Sequence, residues 1–252
     1  MDFWVKNKVN FSICVFCKGS CQDVGVEVRM DRLYVIWREP DENARRHIVG
    51  ELSRARGTFE FKYLAESHQA AEEHGFTGVP GLPYVGSPYE AIHLFPVFQA
   101  RIPSPRRPDF KMLMQMWGVE GPGVDDQFEI LAKSGGVLAT DRLEIAEYRE
   151  VPDDFDRPLE FRIAGYDRCK SGVAELKVGD ELCLERERDN EADVRATRLV
   201  SGKREKLGYV PKQYAAVFAE ALDRGVEISA VTMRRVWLQD DVGAWVVRAR
   251  KK

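Results

Sequence analysis

The chain has 252 residues, 44% of them hydrophobic and 31% charged, with a formal net charge of −3. That balance excludes a disordered or fibrous chain, and the length holds one large core or two modest ones, two being expected. The small net charge excludes a surface coated with cations, yet from Lys203 to Lys252 eleven Lys/Arg stand against six Asp/Glu, an excess of +5.

Local excess of that size is either a phosphate-contacting surface or compensation for an acidic N-terminal half. No apolar run reaches the roughly 18–20 residues that span a bilayer. "VNFSICVF" near the N-terminus lacks the cleavage site of a signal peptide. Five cysteines, an odd number, fit a reducing compartment, so a cytoplasmic location is expected. Cys14, Cys17 and Cys21 are spaced C-x2-C-x3-C, but no fourth ligand follows at the spacing of zinc modules. No metal or cofactor is expected. Residues 1–29 read as a poorly ordered leader from an upstream start codon, and Met30 opens the first strand.

Residues 30–150 predict an α+β domain, a small mixed or antiparallel sheet with three helices. "LYVIW" (33–37) is aromatic and β-branched, "RHIVGELS" alternates, and "TFEFKY" puts Phe59, Phe61 and Tyr63 on one face. The Pro/Gly-rich passage 78–89 is either a linker or an ordered loop across the sheet, and its aromatics favour the loop. From 90 to 134 the pattern is helical. Phe110, Leu113, Met114 and Trp117 form a stripe behind a candidate N-cap, Asp109. "DDQFEILAKSGG" begins with acids and stops at two glycines. "RLEIAEYRE" closes the sheet, and the acidic, Pro-bounded 151–158 is the predicted linker.

Residues 159–252 predict a mainly β, SH3-like barrel with one helix. Four short strands lie within 159–210, and Pro211 opens a helix that ends at Gly225, with Tyr214, Val217, Phe218, Ala221 and Leu222 on its apolar face. A hairpin around "QDDVG" ends the chain.

Motifs of catalysis are missing: no phosphate loop, no H-E-x-x-H, no G-x-S-x-G, no H-R-D. The four histidines, at 47, 68, 74 and 93, read as surface or loop residues. The segment 101–108, "RIPSPRRP", is either a phosphate clamp or a solvated loop. The expectation is a binding protein and not an enzyme.

"RERDNEADVRATRL" (186–199) carries seven formal charges in its first ten residues and then turns strand-like. With Leu176, Gly179 and Asp180 before it and Gly208-Tyr209-Val210-Pro211 after it, this stretch resembles the HIRAN domain, whose pattern runs L-x-x-G-[DE]-x-L-x-L, E-P-x-N-x-x-D-x-x-A, then G-Y-[LIV]-P before a helix. The resemblance covers about 155–240. It implies an SH3-like barrel, found beside helicases and nucleases or alone in bacteria, that grips the 3′ end of single-stranded DNA. Asp193 falls on the family's hydroxyl-binding acid. Asn190 lies in the same turn, Tyr209 and Lys212 at positions facing nucleotides and phosphates, and Tyr166 and Arg168 near the stacking and phosphate-contacting pair. Asp193, Tyr209 and Lys212 are expected to line one cup. Two positions depart from the pattern: Arg188 replaces proline, and Ala192 replaces an aromatic, a stacking platform of roughly 1–3 kcal/mol per base. Asp189 and Asn190 also fit a purely structural role as turn caps.

Residues 33–147 resemble, more loosely, the N-terminal subdomain of HipA-type kinases, with Arg101-Ile102-Pro103 in place of that family's leucine-leucine-proline core. The kinase that should follow is absent, so the region would be a detached recognition module.

Together these readings predict a cytoplasmic, bacterial, nucleic-acid-binding protein that recognises single-stranded DNA 3′ ends and recruits a partner kinase, helicase or nuclease in DNA repair or defence. The alternative is an antitoxin-like factor that binds a HipA-type kinase through the N-terminal domain, the barrel serving as scaffold.

Overall fold

A computed structural model describes residues 31–40, 45–84, 86–120, 126–236 and 244–252. Cys14, Cys17 and Cys21, and the "QDDVG" turn, lie outside them.

The N-terminal sheet is antiparallel and five-stranded. Strands β1 (Asp31–Arg38), β2 (Arg46–Ala55), β3 (Thr58–Tyr63), β4 (Tyr89–Ala91) and β5 (Leu143–Glu147) lie in the order β4-β3-β2-β1-β5. Four short helices accompany it where three were predicted: α1 (Ala65–Glu72), α2 (Pro96–Gln99), α3 (Phe110–Trp117) and α4 (Gln127–Ser134). Sequence periodicity had not marked α1, because its eight residues bury only His68 and Ala71. The end of α4 follows expectation, closed by Gly135 at φ +77°, and at its start Asp126 accepts from the Phe128 and Glu129 amides. Asp109 precedes α3 but caps nothing; its carboxylate is held by Arg107 at 2.8–2.9 Å. The Pro/Gly-rich passage is an ordered loop, pinned where the Val79 amide donates to the Tyr63 hydroxyl at 2.7 Å.

Two layers explain why "LYVIW" is apolar at almost every position. Leu33, Val35 and Trp37 face one core, shared with Phe61, Phe98 and Leu131. Ile36 faces the other way, joined by Ala146, Tyr34 and Ile48, into a core belonging to the C-terminal half. A strand covered on both faces reads as a continuous apolar run.

The C-terminal sheet is antiparallel and six-stranded. Strands β6 (Leu159–Arg162), β7 (Glu181–Arg186), β8 (Thr197–Val200), β9 (Lys206–Tyr209), β10 (Ile228–Val236) and β11 (Ala244–Lys251) lie in the order β6-β11-β10-β7-β8-β9. The sheet curls into a half-barrel whose two ends meet. Ala164, just past β6, exchanges both backbone hydrogen bonds with Tyr209 of β9 at 2.9 and 2.8 Å. Gly208 makes this seam passable: its φ is +137°, and a Cβ there would stand 2.5 Å from the Ala164 carbonyl oxygen. No side chain fits.

Besides the predicted helix, α6 (Lys212–Asp223), the half-barrel carries a single 3-10 turn (Tyr166–Cys169) and a short α5 (Lys170–Glu175). Pro211 sits at the cap of α6 rather than inside it. Phe218 of α6 is fully buried against Phe155 and Phe161, a burial that stabilises by about 2–3 kcal/mol. Phe155 belongs to the predicted linker 151–158, which thereby contributes to the core.

Arginines of the half-barrel reach into the N-terminal helices. Arg162 donates to the Ser134 carbonyl at 2.6 Å and Arg234 to the Trp117 carbonyl at 2.7 Å, each at a helix C-terminus where orphan carbonyls need donors. Glu160 gathers Lys133, Arg234 and Arg248 within 3.1 Å. Burial alone would raise its carboxyl, but those three cations pull it down to about 2. Among the described residues no helix is long and apolar enough to cross a membrane.

Candidate nucleic-acid interface

Strand register builds the outer face of β7–β9. Glu185 pairs with Arg198, and Arg198 with Tyr209, so all three project from the same side. Arg198 holds Glu185 at 2.8–2.9 Å.

Residues 187–196 form the turn between β7 and β8, and Asn190 organises it. Its carbonyl oxygen accepts from the Ala192 and Asp193 amides at 3.0 and 3.1 Å, a side chain standing in for backbone. Its amide donates to Glu187 Oε2 at 2.6 Å and reaches the Tyr209 hydroxyl at 3.2 Å. The Tyr209 hydroxyl in turn donates to Glu187 Oε2 at 2.6 Å. Lys206 donates to that hydroxyl and lies 4.2 Å from the Tyr209 ring centroid. The bonds from Tyr209 and Asn190 hold the Glu187 carboxyl below its ordinary range, with Lys206 adding to them. The turn is therefore tied to the barrel seam by an ionised carboxylate.

Asp193 is half-buried. Its Oδ1 accepts from the Arg195 amide at 2.8 Å, and Oδ2 has no hydrogen bond among the described residues. A carboxylate oxygen with unspent lone pairs accepts from a hydroxyl. Arg188, in place of the pattern's proline, reaches Asp223 at the end of α6 at 2.7 Å and braces the turn from outside. Ala192 is exposed.

The remaining predicted site residues are spread more widely. Tyr166 opens the 3-10 turn beyond the seam and packs half-buried against the barrel core. Gly165 before it lies against the Tyr209 ring, where a Cβ would be 3.8 Å from Cδ2. Arg168 is exposed, with no ion pair among the described residues. Lys212, first residue of α6, lines a cavity of about 240 Å³ with Arg46, His47, Ile48, Glu66, Ser67 and Ala70. The structure thus joins Asn190 and Tyr209 directly and puts Asp193 in their turn. Lys212 faces a groove shared with the N-terminal unit.

Glu187, Lys206 and Arg198 were not singled out as site residues from the sequence. Glu187 and Lys206 reveal themselves only once the seam brings the turn beside β9. The basic segment 101–108 divides: Arg101 is buried and donates to the Gly136 carbonyl and to Asp141, both at 2.6 Å, whereas Arg106 and Arg107 are exposed. Two histidines differ from expectation. His68 is buried and stacks on Tyr84 at 4.4 Å, and His47 bonds the buried Glu39 at 2.7 Å. Among the described residues no group of three metal-ligating side chains could hold an ion.

Residues 158–239 match the HIRAN domain. That stretch holds the seam, the turn and all six predicted site residues. Two solved structures are similar. The HIRAN domain of human HLTF shares 17% identity with a TM-score of 0.32, covering 37% of this chain and 74% of that one. A protein from Lactobacillus plantarum shares 19% identity with a TM-score of 0.30, covering 38% of this chain and 100% of that one. None of the curated proteins matches the chain. The HIRAN match stops short of residues 33–147, and nothing among these relatives supports their likeness to HipA-type kinases.

Proposed function

We propose that this protein binds single-stranded nucleic acid, a free DNA 3′ end, through the outer face of its HIRAN domain. The domain match supports nucleic-acid binding. The single observation that carries the finer reading is Asp193 Oδ2, an unpartnered carboxylate oxygen on a turn fixed to Tyr209 through Asn190 and Glu187. A terminal 3′ hydroxyl donates to such an oxygen, whereas a 3′ phosphate is repelled by it. Tyr209 and Tyr166 are the rings for unpaired bases, and Arg168 and Lys212 are the cations for the phosphates that follow. Ala192 removes one stacking platform, so affinity should be modest. The bound end would be handed to a partner enzyme in DNA repair or defence.

Fluorescence anisotropy on the full chain tests this. A strand ending in 3′ hydroxyl should bind about tenfold tighter than its 3′-phosphorylated twin, both weakening as salt rises. Asp193→Ala should erase the preference. Equal binding of the two strands by the wild type removes end recognition, and no binding at all removes the function.

A further inference from the structure

We infer that the groove between the N-terminal unit and α6 holds a phosphodiester of the same strand, upstream of its captured end. This rests on the reading above and extends it to the N-terminal sheet.

Three elements wall the groove: Arg46, His47 and Ile48 from β2, Glu66, Ser67 and Ala70 from α1, and Lys212 from α6. Its volume, about 240 Å³, far exceeds the roughly 15 Å³ that one ordered water needs. Arg46 spends Nε and one Nη2 hydrogen on Glu144, at 2.9 and 3.3 Å. A guanidinium carries five N–H donors, and the Nη1 pair has no hydrogen bond among the described residues. Lys212 is exposed and has no ion pair among the described residues. His47 Nε2 is engaged with Glu39 at 2.7 Å. Glu66 is the one carboxylate in the wall.

The cations of the wall outnumber its carboxylate, Arg46 and Lys212 standing against Glu66. The groove also lies near the proposed end site. Lys212 follows Tyr209 by three residues, at most about 11 Å of extended chain. A strand whose end sits at Asp193 and whose bases meet Tyr209 reaches the groove within a few nucleotides. Proximity to the end site favours a nucleic-acid backbone over an acidic peptide.

Ala70 offers a test that leaves the barrel untouched, because it is an exposed α1 residue in the groove wall. Full-length wild type, Ala70→Glu and Ala70→Arg would be titrated with 3′-hydroxyl strands of roughly 4 and 16 nucleotides, with circular dichroism confirming the fold. Ala70→Glu should weaken the longer strand about fivefold and lower its salt slope by about one, while Ala70→Arg tightens it. The short strand should change less than about twofold in either variant. If the short strand binds normally and the longer one ignores both substitutions, the groove is not part of the path. If poly-glutamate of equal charge displaces the longer strand as well as unlabelled DNA does, the groove takes acidic peptide instead. Loss of the 3′ preference with a retained Ala70 response would overturn end recognition and leave the groove standing.

Discussion

Arginines of the half-barrel serve two regions in opposite ways. At the junction with the N-terminal unit, Arg162 and Arg234 cap helix ends, and Arg234 and Arg248 surround Glu160. On the β7–β9 face, Arg198 and Lys206 share Glu185 and Glu187 at partly exposed positions, and Lys206 borders a tyrosine. The residue types are alike and the sheet is the same. What separates them is how much of each donor set is already spent. The +5 excess in the last fifty residues is thus a poor guide to a binding surface. Arg224 and Lys251 go to Asp154 and Asp156 of the connecting segment. Lys212 has no such partner among the described residues and faces the groove.

The comparison breaks most sharply at Glu160. Glu160→Gln leaves three cations facing a neutral group and should cost about 3 kcal/mol, read by urea denaturation at neutral pH. The sign of its pH dependence is fixed. Because the folded carboxyl sits at about 2 against an ordinary 4.5, its stabilisation is present above that ordinary value and lost as pH falls towards 2. The variant should show a flatter acid limb than the wild type. Equal slopes would mean that the junction is held by packing alone.

A smaller effect is expected on the open face. Tyr209→Phe removes the hydroxyl that links Glu187, Asn190 and Lys206 and should lower stability by about 1 kcal/mol. It keeps the ring, so strand affinity should fall no more than about threefold. A loss larger than that of Asp193→Ala would make the hydroxyl, and not the turn carboxylate, the recognition group. The smallest change belongs to Arg188→Ala. Its exposed pair with Asp223 should move the melting temperature only slightly, and not at all in high salt.

Much of this was legible beforehand, and for identifiable reasons. The β1–β3 strands, the acidic start and glycine stop of α4, and α6 between Pro211 and Gly225 are local patterns, set by neighbours in the chain. The turn at Asn190 was legible as a pattern of residue types, and its Asx geometry follows from one side chain. Long-range placement was not. Nothing local tells that Ile36 and Ala146 pack under α6, that Phe155 enters the core, or that Lys212 faces β2 and α1. Each depends on how two sheets meet. Arg101 misleads for the same reason: in sequence it leads a basic run, in space it is buried against Gly136 and Asp141.

The Ala164–Tyr209 bridge joins residues forty-five positions apart in the chain. Contacts of such separation carry a loop-closure cost before they return any stability, and they form late in folding. Tyr209 is thus a clasp of the barrel and, in the proposed function, a base platform as well. A nucleic acid that grips it would stabilise the closed chain by mass action, RT ln(1 + [L]/Kd). Holding a strand and finishing the fold would then be one equilibrium, in which occupied molecules are also the ones best protected from unfolding.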